Sequence, residues 1–171
     1  MEWYAIDKNY VSYLKEYDKF VPKIEYTGRM KCFLGVVLII DGKFEYFAPI
    51  TSYKEKFNTM NNDIDFYKII NENGKIYGAI NINNMIPVPR GKYEKITEQN
   101  LDLFRNFKNR RERKSYWKLL QNELKCINEE ILLHNAKKLY KFVQDKPDST
   151  LAKRCCNFNL LEEKCIKYIM E

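Results

Sequence analysis

The sequence predicts an α+β protein. A small, partly closed antiparallel β-barrel with an N-terminal helix is expected over about residues 1–96, and a helical part over about residues 97–171. Three observations lead there. Gly and Pro break the first half into short apolar, β-branched runs; this punctuation nearly vanishes after Thr97, where apolar residues recur at helical spacing; and 171 residues suit one core better than two.

Trp3 to Ile6 alternates as a short strand. Asp7 is an N-cap candidate for a helix of about three turns carrying Tyr10, Tyr13, Leu14 and Tyr17 on one face, with Val21-Pro22 as its limit. Tyr10 reads either as core or as a phenol facing the binding surface. Lys23 to Met30 reads as a polar loop containing Tyr26, Gly28 and Arg29, and loops beside a rigid sheet often carry binding groups.

Lys31 to Lys56 is the organising stretch. Cys32 to Ile40 is almost uninterrupted apolar residue, Asp41-Gly42 is the pair a type I′ turn prefers, and Phe44 to Ile50 forms the returning arm. Because a hairpin brings its ends together, Lys31 is expected beside Thr51, Ser52 and Lys54, with Lys56 just beyond. After a polar, Asn-rich loop with one helical turn at most, Phe66–Ile70 and Lys75–Ile82 flank Asn73-Gly74, a second I′ signal. Asn84 to Pro89 reads as an edge strand because of its two prolines, and Lys92 to Ile96 as a last short one.

Beyond Thr97 the spacing predicts one short helix, one long helix from about Trp117 through Ile131 to Phe142, ended at Pro147-Asp148-Ser149, and a final helix over about Leu160 to Ile169. His134 falls on or beside the apolar stripe and reads as structural, since no second His exists to pair with it. Arg105 to Lys118 carries seven basic residues against Glu112 alone, with Phe107, Tyr116 and Trp117 interleaved. It is either a solvated helix start or a phosphate-facing surface, for which Arg110, Arg111, Arg113 and Lys114 are the candidates.

Composition narrows the chemistry. The net charge of +7 combined with 13 Tyr suits single-stranded RNA, whose bases stack on rings while cations meet its phosphates. Five cysteines, none in a C-x-x-C pair, and a single His point to buried reduced thiols and to neither a metal site nor a disulfide framework. The chain has no apolar run long enough for a membrane span and no signal-peptide pattern, so a cytoplasmic protein is expected. No phosphate loop, nucleophile elbow or metal-binding helix motif occurs, and no cofactor is implied. What remains is Lys, Ser, Thr and Tyr. Such a set can assist attack of a ribose 2′-OH on its own phosphate, or can simply hold phosphates in a non-catalytic RNA-binding barrel.

The segments NYVSYLKEYDKFVP, KCFLGVVL, FAPITSYK, GAINI followed by MIPV, and CNFNLLEEK, in this order, resemble the ToxN/AbiQ family of endoribonuclease toxins from type III toxin–antitoxin and phage abortive-infection systems. The resemblance implies an SH3-like barrel related to the MazF/Kid toxins, elaborated with helices. It also implies a metal-independent, sequence-preferring RNase that leaves a 2′,3′-cyclic phosphate on cellular or phage RNA. Its partner would be a small pseudoknotted repeat RNA antitoxin that the toxin also processes, bound across the active site in a closed cyclic assembly. The family's site residues fall here on Tyr10, Lys31, Thr51, Ser52 and Lys54, and its loop aromatic on Tyr26, in a loop shorter than the family's.

Overall fold

The protein is described by a computed structural model that covers residues 1–170. Among the described residues nine strands and four α-helices follow one another, with the strands confined to the first 95 residues. Strand β1 (Glu2–Ile6) leads into helix α1 (Lys8–Tyr17), whose N-cap is Asp7, its carboxylate accepting the Tyr10 N–H. The helix stops at Asp18, four residues before Pro22, because Asp18 is extended and its carboxylate accepts the Phe20 and Asn157 N–H groups instead. The stretch expected as a loop holds a two-stranded ribbon, β2 (Glu25–Tyr26) and β3 (Arg29–Met30), closed by Gly28 at φ 71°. Two-residue strands are too short to show alternation, so this ribbon leaves no periodic signal.

The central hairpin is β4 (Phe33–Ile40) and β5 (Phe44–Ser52), antiparallel as expected. Asp41 and Gly42 both take positive φ, and the Lys43 N–H donates to the Ile40 carbonyl at 2.9 Å, which is what the Asp-Gly pair predicts. The returning arm does not end at Ile50. It continues through Ser52, because Thr51 and Ser52 pair with Ala79 and Gly78 of β7 (Ile76–Asn81). Strand β6 (Phe66–Ile70) completes the second hairpin with β7. Its turn is not type I′: Gly74 alone has positive φ, and the Asn71 carboxamide oxygen accepts the Asn73 and Lys75 N–H groups, so the Asn side chain shapes the turn.

Strand β8 (Ile86–Val88) lies at an edge, as its prolines require, and β9 (Tyr93–Lys95) pairs with β1. The ladder runs β6-β7-β5-β4-β1-β9, with β8 on β5. This corrects the barrel expectation: among the described residues no ladder joins β6 to β9, and the sheet is open. The reason lies in β5, which keeps one edge for β4 and divides the other between β8 at Glu45–Phe47 and β7 at Ile50–Ser52.

Helices α2 (Arg110–Lys125), α3 (Glu129–Asp145) and α4 (Phe158–Met170) cover the sheet. The single long helix expected here is two. Its break falls at Cys126–Asn128, where Asn128 caps α3 through Ile131 while its own N–H donates to Tyr67. Trp3 donates from its indole to the Leu120 carbonyl at 2.9 Å, and Tyr46 and Tyr140 share the Glu162 carboxylate at 2.7 and 2.8 Å. These contacts tie helices to sheet through one hydrophobic cluster that draws on both halves of the chain. All five cysteines are free thiols, four of them buried, as expected, whereas His134 is exposed rather than part of the apolar stripe. No helix among the described residues is long and apolar enough to cross a membrane.

Candidate active site

The two ends of the central hairpin meet, and the meeting point opens into a cleft of about 420 Å³. Ile50 donates its N–H to the Cys32 carbonyl at 3.1 Å, and the Lys31 ammonium donates to the Ile50 carbonyl at 3.1 Å. That second bond aims Lys31 along the rim rather than into solvent. Thr51 and Ser52 sit on the last two positions of β5, held by β7, and the Asn81 carboxamide donates to the Thr51 hydroxyl oxygen at 2.7 Å. Lys54 follows at the start of a single 3-10 turn, Glu55–Asn58, pinned by the buried Phe57 ring against Phe66 at 5.2 Å.

The β2–β3 ribbon forms the facing wall. Tyr26 is 39% exposed, with Arg29 at 5.3 Å and Lys31 at 5.6 Å from its ring centre. The ribbon is braced by the segment before α2: Met30 donates to the Phe104 carbonyl, and Asn106 donates to the Gly28 carbonyl, each at 2.8 Å. Arg105 is thereby brought beside Arg29, with its guanidinium 4.3 Å from the Tyr116 ring, and both Arg105 and Tyr116 line the cleft. The two latter residues belong to the aromatic and basic segment singled out in the sequence. Their place at the centre was not visible there, because it depends on the ribbon.

Of the expected site residues, Lys31, Thr51, Ser52, Lys54, Tyr26 and Arg29 share this cleft. Tyr10 does not. It is fully buried between α4 and β8, with its hydroxyl donating to the Pro87 carbonyl at 2.5 Å and its ring 5.0 Å from Tyr168, so burial drives its pKa far above the ordinary tyrosine value. Lys56 lines an adjoining cavity. Arg110, Arg111 and Lys114 are exposed at the start of α2, outside the cleft. Arg113 is committed elsewhere, to the Asp102 carboxylate at 2.7 Å and to the Glu98 carbonyl.

The electrostatics follow from the lining. No carboxylate and no imidazole is among its residues, whereas Arg29, Lys31, Lys54 and Arg105 all are. Burial lowers the Lys31 pKa from the ordinary lysine value; Cys32 opposes this in part, and the nearby Lys54 and Arg29 charges add smaller lowering influences. A half-buried ammonium beside two hydroxyls is suited to giving up a proton while its neighbours hold an anion.

A family profile described as toxin ToxN of type III toxin–antitoxin systems matches residues 2–166. The chain belongs to the ToxN family. Endoribonuclease ToxN of Pectobacterium atrosepticum is 34% identical over 96% of this chain and 91% of its own. Endoribonuclease ToxN of Bacillus thuringiensis subsp. kurstaki is 30% identical over 98% and 84%. Among solved structures, one from a type III toxin–antitoxin system, whose toxin is selectively inhibited by a non-coding RNA pseudoknot, superposes with a TM-score of 0.80 at 27% identity, covering 99% of this chain and 98% of that one. One from a bacterial antiviral system regulated by a processed non-coding RNA gives 0.79 at 29%, covering 97% and 98%. AbiQ, a lactococcal anti-phage endoribonuclease, shares the fold, with a TM-score of 0.79 at 22% identity over 99% and 98%.

Proposed function

We propose that this ToxN-family endoribonuclease cleaves RNA at the Lys31–Lys54 cleft without a metal, leaving a 2′,3′-cyclic phosphate. The observation that carries the reading is the convergence of Lys31, Thr51, Ser52 and Lys54, from both ends of one hairpin, on a cleft lined by cations and hydroxyls. In the step, O2′ attacks phosphorus and loses its proton to water, the P–O5′ bond breaks, and O5′ takes a proton from the protein. Thr51, positioned by Asn81, and Ser52 hydrogen-bond the non-bridging oxygens. Lys54 and Arg105 offset the charge of the phosphorane, and Lys31, its pKa lowered by burial, protonates O5′. Tyr26 offers a ring on which a neighbouring base stacks.

The wider reading is a cytoplasmic toxin that inhibits growth or aborts phage infection. It is held inactive by a small pseudoknotted repeat RNA, which it processes and which covers the cleft in a closed protein–RNA ring. The exposed Arg110, Arg111 and Lys114 extend the basic surface for that RNA along α2.

The test is digestion of a mixed-sequence RNA by purified protein in EDTA, with product ends mapped. Cyclic-phosphate ends despite chelation, abolished by Lys31→Ala and by Ser52→Ala in proteins that still fold, are expected. Binding without cleavage would leave a non-catalytic RNA-binding protein, and undiminished cleavage in both variants would remove the assigned roles.

A further inference from the structure

Behind the cleft lies a second cavity of about 520 Å³ that shares Thr51 and Lys54 with the first. We propose that this cavity seats and reads the base of one nucleotide adjoining the scissile phosphate; the inference rests on the reading of the first cleft as the cleavage centre. The two spaces differ in chemistry. The first has no carboxamide among its lining residues, whereas the second has four asparagines, Asn61, Asn62, Asn81 and Asn83. Carboxamides carry a donor and an acceptor side by side, which suits base edges, while cations suit phosphates.

The local bonding leaves these groups available. Asn62 spends its oxygen on the Lys68 N–H at 2.6 Å, which leaves its amide donors, and Asn83 spends its amide on the Arg154 carbonyl at 3.0 Å, which leaves its oxygen. Asn61 is exposed. Arg154 supplies a flat platform: its Nε and Nη2 are fixed to the Asp65 carboxylate at 2.9 and 2.8 Å, and Asp65 is itself buried. A guanidinium held in this way presents its plane to a stacked base. Asp63, on the same lining, repels phosphate and accepts from an exocyclic amine. Asn81 joins the two spaces, since its amide already holds the Thr51 hydroxyl. A base bound here is therefore coupled to the alignment of the reacting phosphate.

The experiment measures two properties against oligoribonucleotides that differ only in the nucleotides flanking one cleavable bond. One is kcat/KM, and the other is Kd for the same oligomers carrying a 2′-deoxyribose at the scissile position. Wild-type protein should rank the bases by tenfold or more, and Asn61→Ala and Arg154→Lys, the latter keeping the charge beside Asp65, should compress that ranking about tenfold by lowering kcat/KM and weakening Kd for the preferred base toward the values of the others. A ranking that survives both substitutions, or an equal fall for every base, overturns the proposal. Base-selective binding that both variants flatten, with no cleavage of any oligomer, keeps the subsite and overturns the nuclease reading instead.

Discussion

Glu123 has no part in the cleft, yet it shapes what lies beneath it. Its side chain is buried on α2 at 4% exposure, where it acts on Cys32 and Tyr116, and burial pushes its carboxyl up to about 7 from the ordinary 4.5. The folded pKa is raised, so the unfolded chain ionises first as pH rises. Stability is therefore full below about 4.5 and falls until about pH 7, by roughly 3 kcal/mol at the upper end. Glu123→Gln should melt with the parent near pH 4 and about 6–12 °C above it at pH 8; parallel melting curves across that range would show the carboxyl to be solvated. Lys31, the proposed acid, gives the counterpart in the cleft. Burial and then Lys54 and Arg29 lower its pKa, so the alkaline limb of kcat should lie below the ordinary lysine range, and Arg29→Gln should move it upward by removing one repelling charge. An unmoved limb would take Lys31 out of the proton transfer. Residues joined by a hairpin were legible, because a tight turn fixes which positions meet: Lys31 with Thr51 and Ser52. Arg105 was not, since its position depends on a ribbon of two-residue strands. Tyr10 was not either, because the pattern that puts a phenol on a helix face is the same whether its hydroxyl meets RNA or the Pro87 carbonyl.

At the scale of elements, the decisive contact is β5 against β7. A Cβ at Gly78 would stand 2.5 Å from the Thr51 carbonyl oxygen, with the Ser52 backbone also close, so only glycine lets the strand that carries both hydroxyls approach. Gly78→Ala should cost about 1–3 kcal/mol in urea melts and, by displacing Thr51 and Ser52, about 100-fold in single-turnover cleavage. Gly74→Ala at the far turn, where a Cβ meets nothing but φ is 79°, provides the comparison: a stability loss of about 1 kcal/mol with cleavage intact. Equal cleavage in the two variants would mean that the β5–β7 register does not set the site. The break between α2 and α3 shows where periodicity fails. Leu124, Ile127 and Ile131 keep helical spacing across it, yet Ile131 is 50% exposed and Leu132 is buried, because a fresh start at Asn128 rotates the apolar face by a position. Nothing in the apolar pattern distinguishes that restart from continuation, and only the capping chemistry of Asn128 does.

For the molecule as a whole, the +7 charge is useful only as it is arranged. Helix α2 joins two basic zones. Tyr116 with its Arg105 partner lines the cleft, and Arg110, Arg111 and Lys114 stand exposed toward the helix start, capped by Asn109. Cations there oppose the helix dipole, so each is more easily satisfied by a phosphate than by its own helix. Arg113 differs, being spent on Asp102 and the Glu98 carbonyl, which fastens α2 to the segment after β9. Charge reversal separates these roles. Arg110→Glu with Arg111→Glu should weaken binding of the proposed inhibitory RNA about tenfold or more and reduce the slope of log K against log salt by about 1.5–2, since on the proposed path each of the two arginines would neutralise one phosphate. Arg113→Glu should instead lower the melting temperature and leave the slope within about 0.5 of the parent, because its partner is protein. If the double reversal leaves affinity and slope unchanged while Arg113→Glu alters both, the RNA follows a path from the cleft other than α2.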